Sequence, residues 1–197
     1  MKLNPTWRKI ALSAHVTSSV GWLGAVIAFL ALAIIGLRGN GTEGVIRSAY
    51  VSMEAIGWYV IVPFSVASLI SGLIQSLGTQ WGLFRHYWVV AKLFITVGAS
   101  ALLLLHMTVM ATVAEAATTG ALLGDHLRNP RVQLAGDAGG AVVVLAIAVA
   151  LSVFKPEGRF GAGEKRTPFV YACWAALGLL AVVIVLRHLS GGMMSHH

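Results

Sequence analysis

Five stretches of this chain are each long and apolar enough to cross a bilayer, and that settles most of what it can fold into. About 20 apolar residues span the hydrocarbon core. The stretches run over residues 10–37, 48–77, 84–117, 131–154 and 169–189. In lipid a backbone amide must find its partner within its own segment, so each stretch predicts a helix. The expected fold is all-α: a single-domain integral membrane bundle of five transmembrane helices over residues 1–197. Only 11% of the chain is charged, against about 25% in a soluble domain. That leaves almost no chain for a soluble domain, and the lipid bilayer is the first expected partner.

The connections carry turn chemistry. RGNGTEG follows the first stretch, GTQWG precedes the third, and the longest link is TTGALLGDHLRNP. Pro63 lies inside the second stretch and predicts a kink there. Pro130 suits the first turn of the fourth helix, which is expected to start near Arg131. The start, MKLNPTWRK, is basic. The apolar run after it exceeds a signal-peptide core, so it reads as a retained first span. Lys2, Arg8, Lys9, Arg85, Lys155, Arg159, Lys165 and Arg166 fall on one side of the spans. Arg38, Arg47, Arg128, Arg131 and Arg187 fall on the other. Eight against five places the N-terminus in the cytoplasm and the C-terminus outside. In this setting a net charge of +7 marks cytoplasmic helix ends, and nucleic acid is not an expected partner. The single cysteine, Cys173, excludes an intramolecular disulfide and a cysteine-built zinc or iron–sulfur site.

Ionisable residues at membrane depth are costly and mark functional sites. The topology sorts them into two layers. His15, Gln75, His86, Trp88 and Lys92 belong near the inner leaflet, and Glu54, His106, Asp137 and His188 near the outer one. Lys92 and His106 are fourteen residues apart on one helix, hence on nearly one side and about 21 Å apart along the axis.

Each grouping has a functional and a plainer reading. His106 and His188 sit at matching depth on parallel spans and could hold a haem iron from both faces; alternatively His188 reaches to the interface beside Arg187. His15 opens HVTSSVGWLG and shares a face with Trp22, seven residues on. It could ligate iron opposite His86, or His86 could belong to an interfacial aromatic belt with Trp81, Tyr87 and Trp88. Lys92 could meet a porphyrin propionate or a quinone oxygen, transfer a proton, or extend to the interface. Glu54 and Asp137 read most simply as ion-pair partners of Arg187 or a histidine. Met107 and Met110 could suggest copper, but two methionines three apart on a helix are usually packing. The terminal MMSHH, with His196 and His197, invites the same copper reading and equally resembles a purification tag.

His15 followed by Trp22 and Gly24, together with WVVAKL followed by His106, resembles the paired signatures of a bacterial membrane superfamily. It contains HemJ-type protoporphyrinogen oxidases, CopD-type copper-resistance membrane proteins and uncharacterised relatives, and the chain looks most like the last. The resemblance covers the first three spans. It implies b-type haem, with His15 as a haem or substrate-site histidine, Lys92 as a functional lysine and His106 as a second haem-side histidine. It also implies multi-pass placement in a bacterial plasma membrane.

Residues and resemblance together give an expected function. The chain should bind one or two b-type haems through cofactor-binding residues among His15, Trp22, His86, Lys92, His106 and His188. His15, His106 and His188 are the metal ligands. The role would be electron transfer or a small-molecule redox reaction, with a quinone or a redox protein as partner and a homo-oligomer as one possible assembly. The alternatives are a copper or small-solute transport component of CopD type, a protoporphyrinogen oxidase-like enzyme, and a redox-silent haem or porphyrin carrier.

Overall fold

The structure is a computed structural model that describes residues 3–38, 42–78, 86–120 and 127–154. Every element among them is helical. The first is α1, Pro5–Arg38. The second span is built from α2, Glu43–Ile56, a π turn, Gly57–Ile61, and α3, Val62–Gly78. Then come α4, Tyr87–Thr119, and α5, Arg128–Phe154. Four helical stretches, Pro5–Arg38, Glu43–Gly78, Tyr87–Thr119 and Arg128–Phe154, are long and apolar enough to cross a membrane. The expected fifth span, 169–189, and both termini lie outside the described residues.

The four spans close a ring. α1 packs against the second span and α5, and α4 packs against the same two. Successive spans therefore run in opposite directions, and two ends of the bundle can be distinguished. The lysine end holds the start of α1, the end of α3, the start of α4 and the end of α5. Leu3 N–H donates to the Gly78 carbonyl there at 3.0 Å. The arginine end carries Arg38, Arg47, Arg128 and Arg131.

Large apolar side chains point both inward and outward, as expected of a bundle in lipid. Ile27, Phe94, Leu105, Val143 and Val153 are exposed on the outside. Inside, the largest buried apolar cluster among the described residues lies at the arginine end. Tyr50, Met53, Met110 and Val113 are buried in one cluster with Ala33 and Leu134. Gly36 permits this packing, because a Cβ there would lie 2.6 Å from the Tyr50 ring. Arg131 locks the layer. Its Nε donates to the Tyr50 hydroxyl at 2.9 Å and its Nη2 to the Gly36 carbonyl at 2.6 Å, while its guanidinium lies 5.3 Å from the Tyr50 ring centre. α1, α2 and α5 are thereby joined by one side chain.

Two local features add to or shift the expectation. Where Pro63 predicts a kink, the second span opens into the π turn Gly57–Ile61, with the Val62 N–H donating to the Gly57 carbonyl five residues back. A proline lacks the N–H for its helical bond and crowds the carbonyl four residues before it. One widened turn relieves both problems. The fourth span starts at Arg128 rather than Arg131. Pro130 still falls in the first turn, where the N–H groups have no intrahelical partner.

Candidate functional site

The lysine end contrasts with the packed arginine end. α3 places Ser65, Ser68 and Ser71 three residues apart on one face, all buried against α1. Small residues at this spacing let helices approach closely, and hydroxyls can then bond across the seam. Ser19 and Ser68 hydroxyls are 2.8 Å apart, and Gln75 Nε2 donates to the Ala11 carbonyl at 2.8 Å. Most of the hydroxyls also bond back into their own helix, such as Ser71 to the Ala67 carbonyl at 2.6 Å.

His15 is set into this seam. Its Nδ1 lies 3.2 Å from the Ser68 carbonyl oxygen and 3.2 Å from the Ser71 hydroxyl oxygen. A carbonyl only accepts, so Nδ1 carries the ring proton, and in the neutral imidazole Nε2 keeps its lone pair. Gly72 makes room for the ring, since a Cβ there would be 3.1 Å from His15 Cε1. Nε2 has no hydrogen-bond partner among the described residues.

A small cleft lies beside this ring, open on one side. His15 of α1, Gly72 and Gln75 of α3, and Trp88, Lys92 and Thr96 of α4 contribute to its wall, with Leu69, Leu73 and Leu93 as its apolar part. Lys92 is held by α5: Nζ donates to the Ser152 hydroxyl at 2.5 Å, and Ser152 donates on to the Ala148 carbonyl at 2.9 Å. Glu43, Glu54, Glu115 and Asp137, the acidic residues among the described ones, all belong to the arginine half of the bundle or to its connections. Among the described residues, no carboxylate faces the Lys92 ammonium in the cleft. An anionic group on a largely apolar ligand is what such a wall would complement.

The other candidate residues fall elsewhere. Trp22 is 3% exposed, in an apolar cluster with Val26, Ile61 and Leu145. It shares a face with His15 but lies about 10.5 Å further along the axis, one layer deeper than the cleft. His86 is 7% exposed at the N-cap of α4, its ring centre 6.3 Å from that of Trp88. It does not line the cleft. His106 is at the other end of α4, where Nδ1 lies 2.7 Å from the Leu102 carbonyl and Nε2 lies 2.7 Å from Asp137 Oδ2. Nδ1 thus faces an acceptor on its own helix, and Nε2 is in ion-pair contact with the carboxylate of α5. This is the ion pair anticipated for Asp137, with the histidine as its partner. Met107 and Met110 are packing residues of the arginine-end core. His188, Arg187, His196 and His197 lie outside the described residues. Among the described residues no three of His, Cys, Asp and Glu converge on a point that could hold a metal ion.

Sequence reasoning missed Ser152 and the serine seam. Ser152 carries no signal, being one hydroxyl in an apolar run. The seam did carry one: Ser65, Ser68 and Ser71 recur every third residue on a strongly apolar helix. Comparison of the chain with protein-family models, curated proteins and solved structures gives no match.

Proposed function

We propose that the chain is a membrane protein that binds b-type haem in the lysine-end cleft, where His15 would hold the iron, and that it serves electron transfer or a small-molecule redox reaction. The observation that carries this reading is the double anchoring of His15 Nδ1. Histidines that ligate a metal usually donate their other ring N–H to a carbonyl or carboxylate, which fixes the tautomer and the ring plane. Ser68 does this here, and Nε2 is left with its lone pair beside a cleft. Lys92 supports the reading from the opposite wall, because an ammonium held by Ser152 is placed to meet a propionate. The apolar leucines and Gly72 suit a flat ring. The bound iron would supply the one-electron chemistry, while these residues bind, orient and exclude water.

The lysine end faces the cytoplasm in this reading, by the positive-inside count. The setting is a bacterial plasma membrane, and a membrane quinone or a redox protein is the electron partner. His106 enters only as the partner of Asp137, because an iron there would have to take Nε2 from the carboxylate. A porphyrin carrier without redox turnover has the same site and is separated by its failure to pass electrons to an added quinone.

The test is a pyridine haemochrome assay on the full-length protein purified from cells supplied with haem. A b-type spectrum is expected, since no Cys-x-x-Cys-His motif is present for covalent attachment. Purified protein that is folded and free of haem would sink the proposal.

A further inference from the structure

α1 separates two hollows. The cleft lies on its His15 side. Beyond Ser18, between α1 and α3, runs a second, shallow groove that is open along its length. Lys9, Ser13 and Thr17 line it, with Ile10, Ser18 and Phe64. The first three recur every four residues, so they form one row climbing from the lysine end in steps of about 6 Å. The Phe64 ring closes the deep end against Gly21, where an added Cβ would lie 2.9 Å from it.

Ser13 and Thr17 break a pattern. Ser71, Ser76, Thr96, Thr112 and Ser152 each donate to the carbonyl four residues back. Ser13 and Thr17 are exposed on the same row and make no hydrogen bond among the described residues. A hydroxyl facing lipid without a partner is unfavourable. A ligand carrying acceptors would satisfy both. At the mouth of the row stands Lys9, exposed at the end of the bundle where the described residues include no carboxylate. A cation at the interface, two free donors just below it and an apolar end at Phe64 repeat the order of groups down a phospholipid: phosphate, ester carbonyls, acyl chain.

We propose that this groove binds one anionic phospholipid. Its phosphate meets the Lys9 ammonium beside Ile10, its glycerol-ester carbonyls accept from Ser13 and Thr17, and an acyl chain runs on from there to Phe64. The site is separate from the cleft and does not depend on haem.

Native mass spectrometry of the full-length protein in detergent tests it, with equal amounts of phosphatidylglycerol and phosphatidylcholine as probes. The parent should retain one phosphatidylglycerol in preference. Lys9→Gln should lower that preference about fivefold, the weight of one basic side chain at a lipid surface. Arg8→Gln should leave it unchanged, since Arg8 points about 100° away around the helix. Ser13→Trp, at an exposed position, should expel either lipid while the protein stays folded. Equal losses for the Arg8 and Lys9 variants would mean diffuse attraction and overturn the site, as would lipid retained by Ser13→Trp. So would a quinone bound in place of the phospholipid. A disulfide formed on oxidation between Cys173 and a Ser13→Cys variant would also overturn it, because the chain's own segment would then fill the groove.

Discussion

The two ends of this bundle use the same four spans for opposite purposes. At the arginine end the spans meet through apolar bulk: Tyr50 and Met53 are fully buried, and Arg131 ties three helices to one another. At the lysine end α1 and α3 meet through hydroxyls while α4 and α5 meet through Ala91, Ile95, Ala148 and Leu151, and beside the hydroxyl seam the packing opens into a cleft walled by His15 and Lys92. Dense apolar packing holds a fold rigid but leaves nowhere for a ligand. A polar seam keeps helices together with small residues and leaves space and donors beside it. One end holds the bundle together, and the other leaves the space in which the proposed ligand would sit.

The largest effect expected from this contrast is at Tyr50. Tyr50→Ala removes a fully buried ring and the acceptor of Arg131 Nε, at a cost of about 4 kcal/mol. Chemical unfolding in detergent would measure it. Protein that remains folded should keep the spectrum of its cleft ligand unchanged. A variant that stays folded but loses its ligand would show that the two ends are not separable.

Asp137→Asn comes next, at about 2 kcal/mol. Breaking a fully buried pair costs more, but His106 and Asp137 are 14% and 23% exposed, and solvent screens part of the loss. A double-mutant cycle with His106→Ala should return a coupling of that size. No coupling would mean that the 2.7 Å contact contributes nothing to stability.

Lys92→Met tests the other end. Removing a cation beside a bound haem disfavours the more negative, reduced state, so the potential should fall by roughly 60 mV, one tenfold in the equilibrium. The haem should largely remain. An unchanged potential and unchanged activity would leave Lys92 a structural partner of Ser152. The smallest effect belongs to Ser71→Ala, about 1 kcal/mol or less in stability. It should also broaden the haem bands as the His15 ring loses one of its two anchors. Bands as sharp as the parent's would assign the anchoring to the Ser68 carbonyl alone.

The spans were readable because lipid forces every amide to pair within its own helix, so apolar length alone marks them. Depth was readable too. Counting along the helices put His15, Gln75, Trp88 and Lys92 in one layer, and the cleft contains all four. What counting could not supply was rotation and partner. Trp22 shares a helix face with His15 yet packs one layer deeper, and His86 sits at the right depth outside the cleft wall. Counting left His106 open to an iron or to an acid, and the packing of α5 against α4 brings Asp137 to it. Ser152 became visible only through Lys92, and Arg131, counted as a loop charge, proved to be the lock of the arginine end.

The central claim is that the ligand belongs to the lysine end, and one paired measurement addresses it. His15→Ala and His106→Ala would be purified side by side from cells supplied with haem, each checked for folding, and their haem content read by pyridine haemochrome. Near-complete loss in the His15 variant with content close to parent in the His106 variant is the predicted result. Haem retained without His15, or lost with His106, would contradict it.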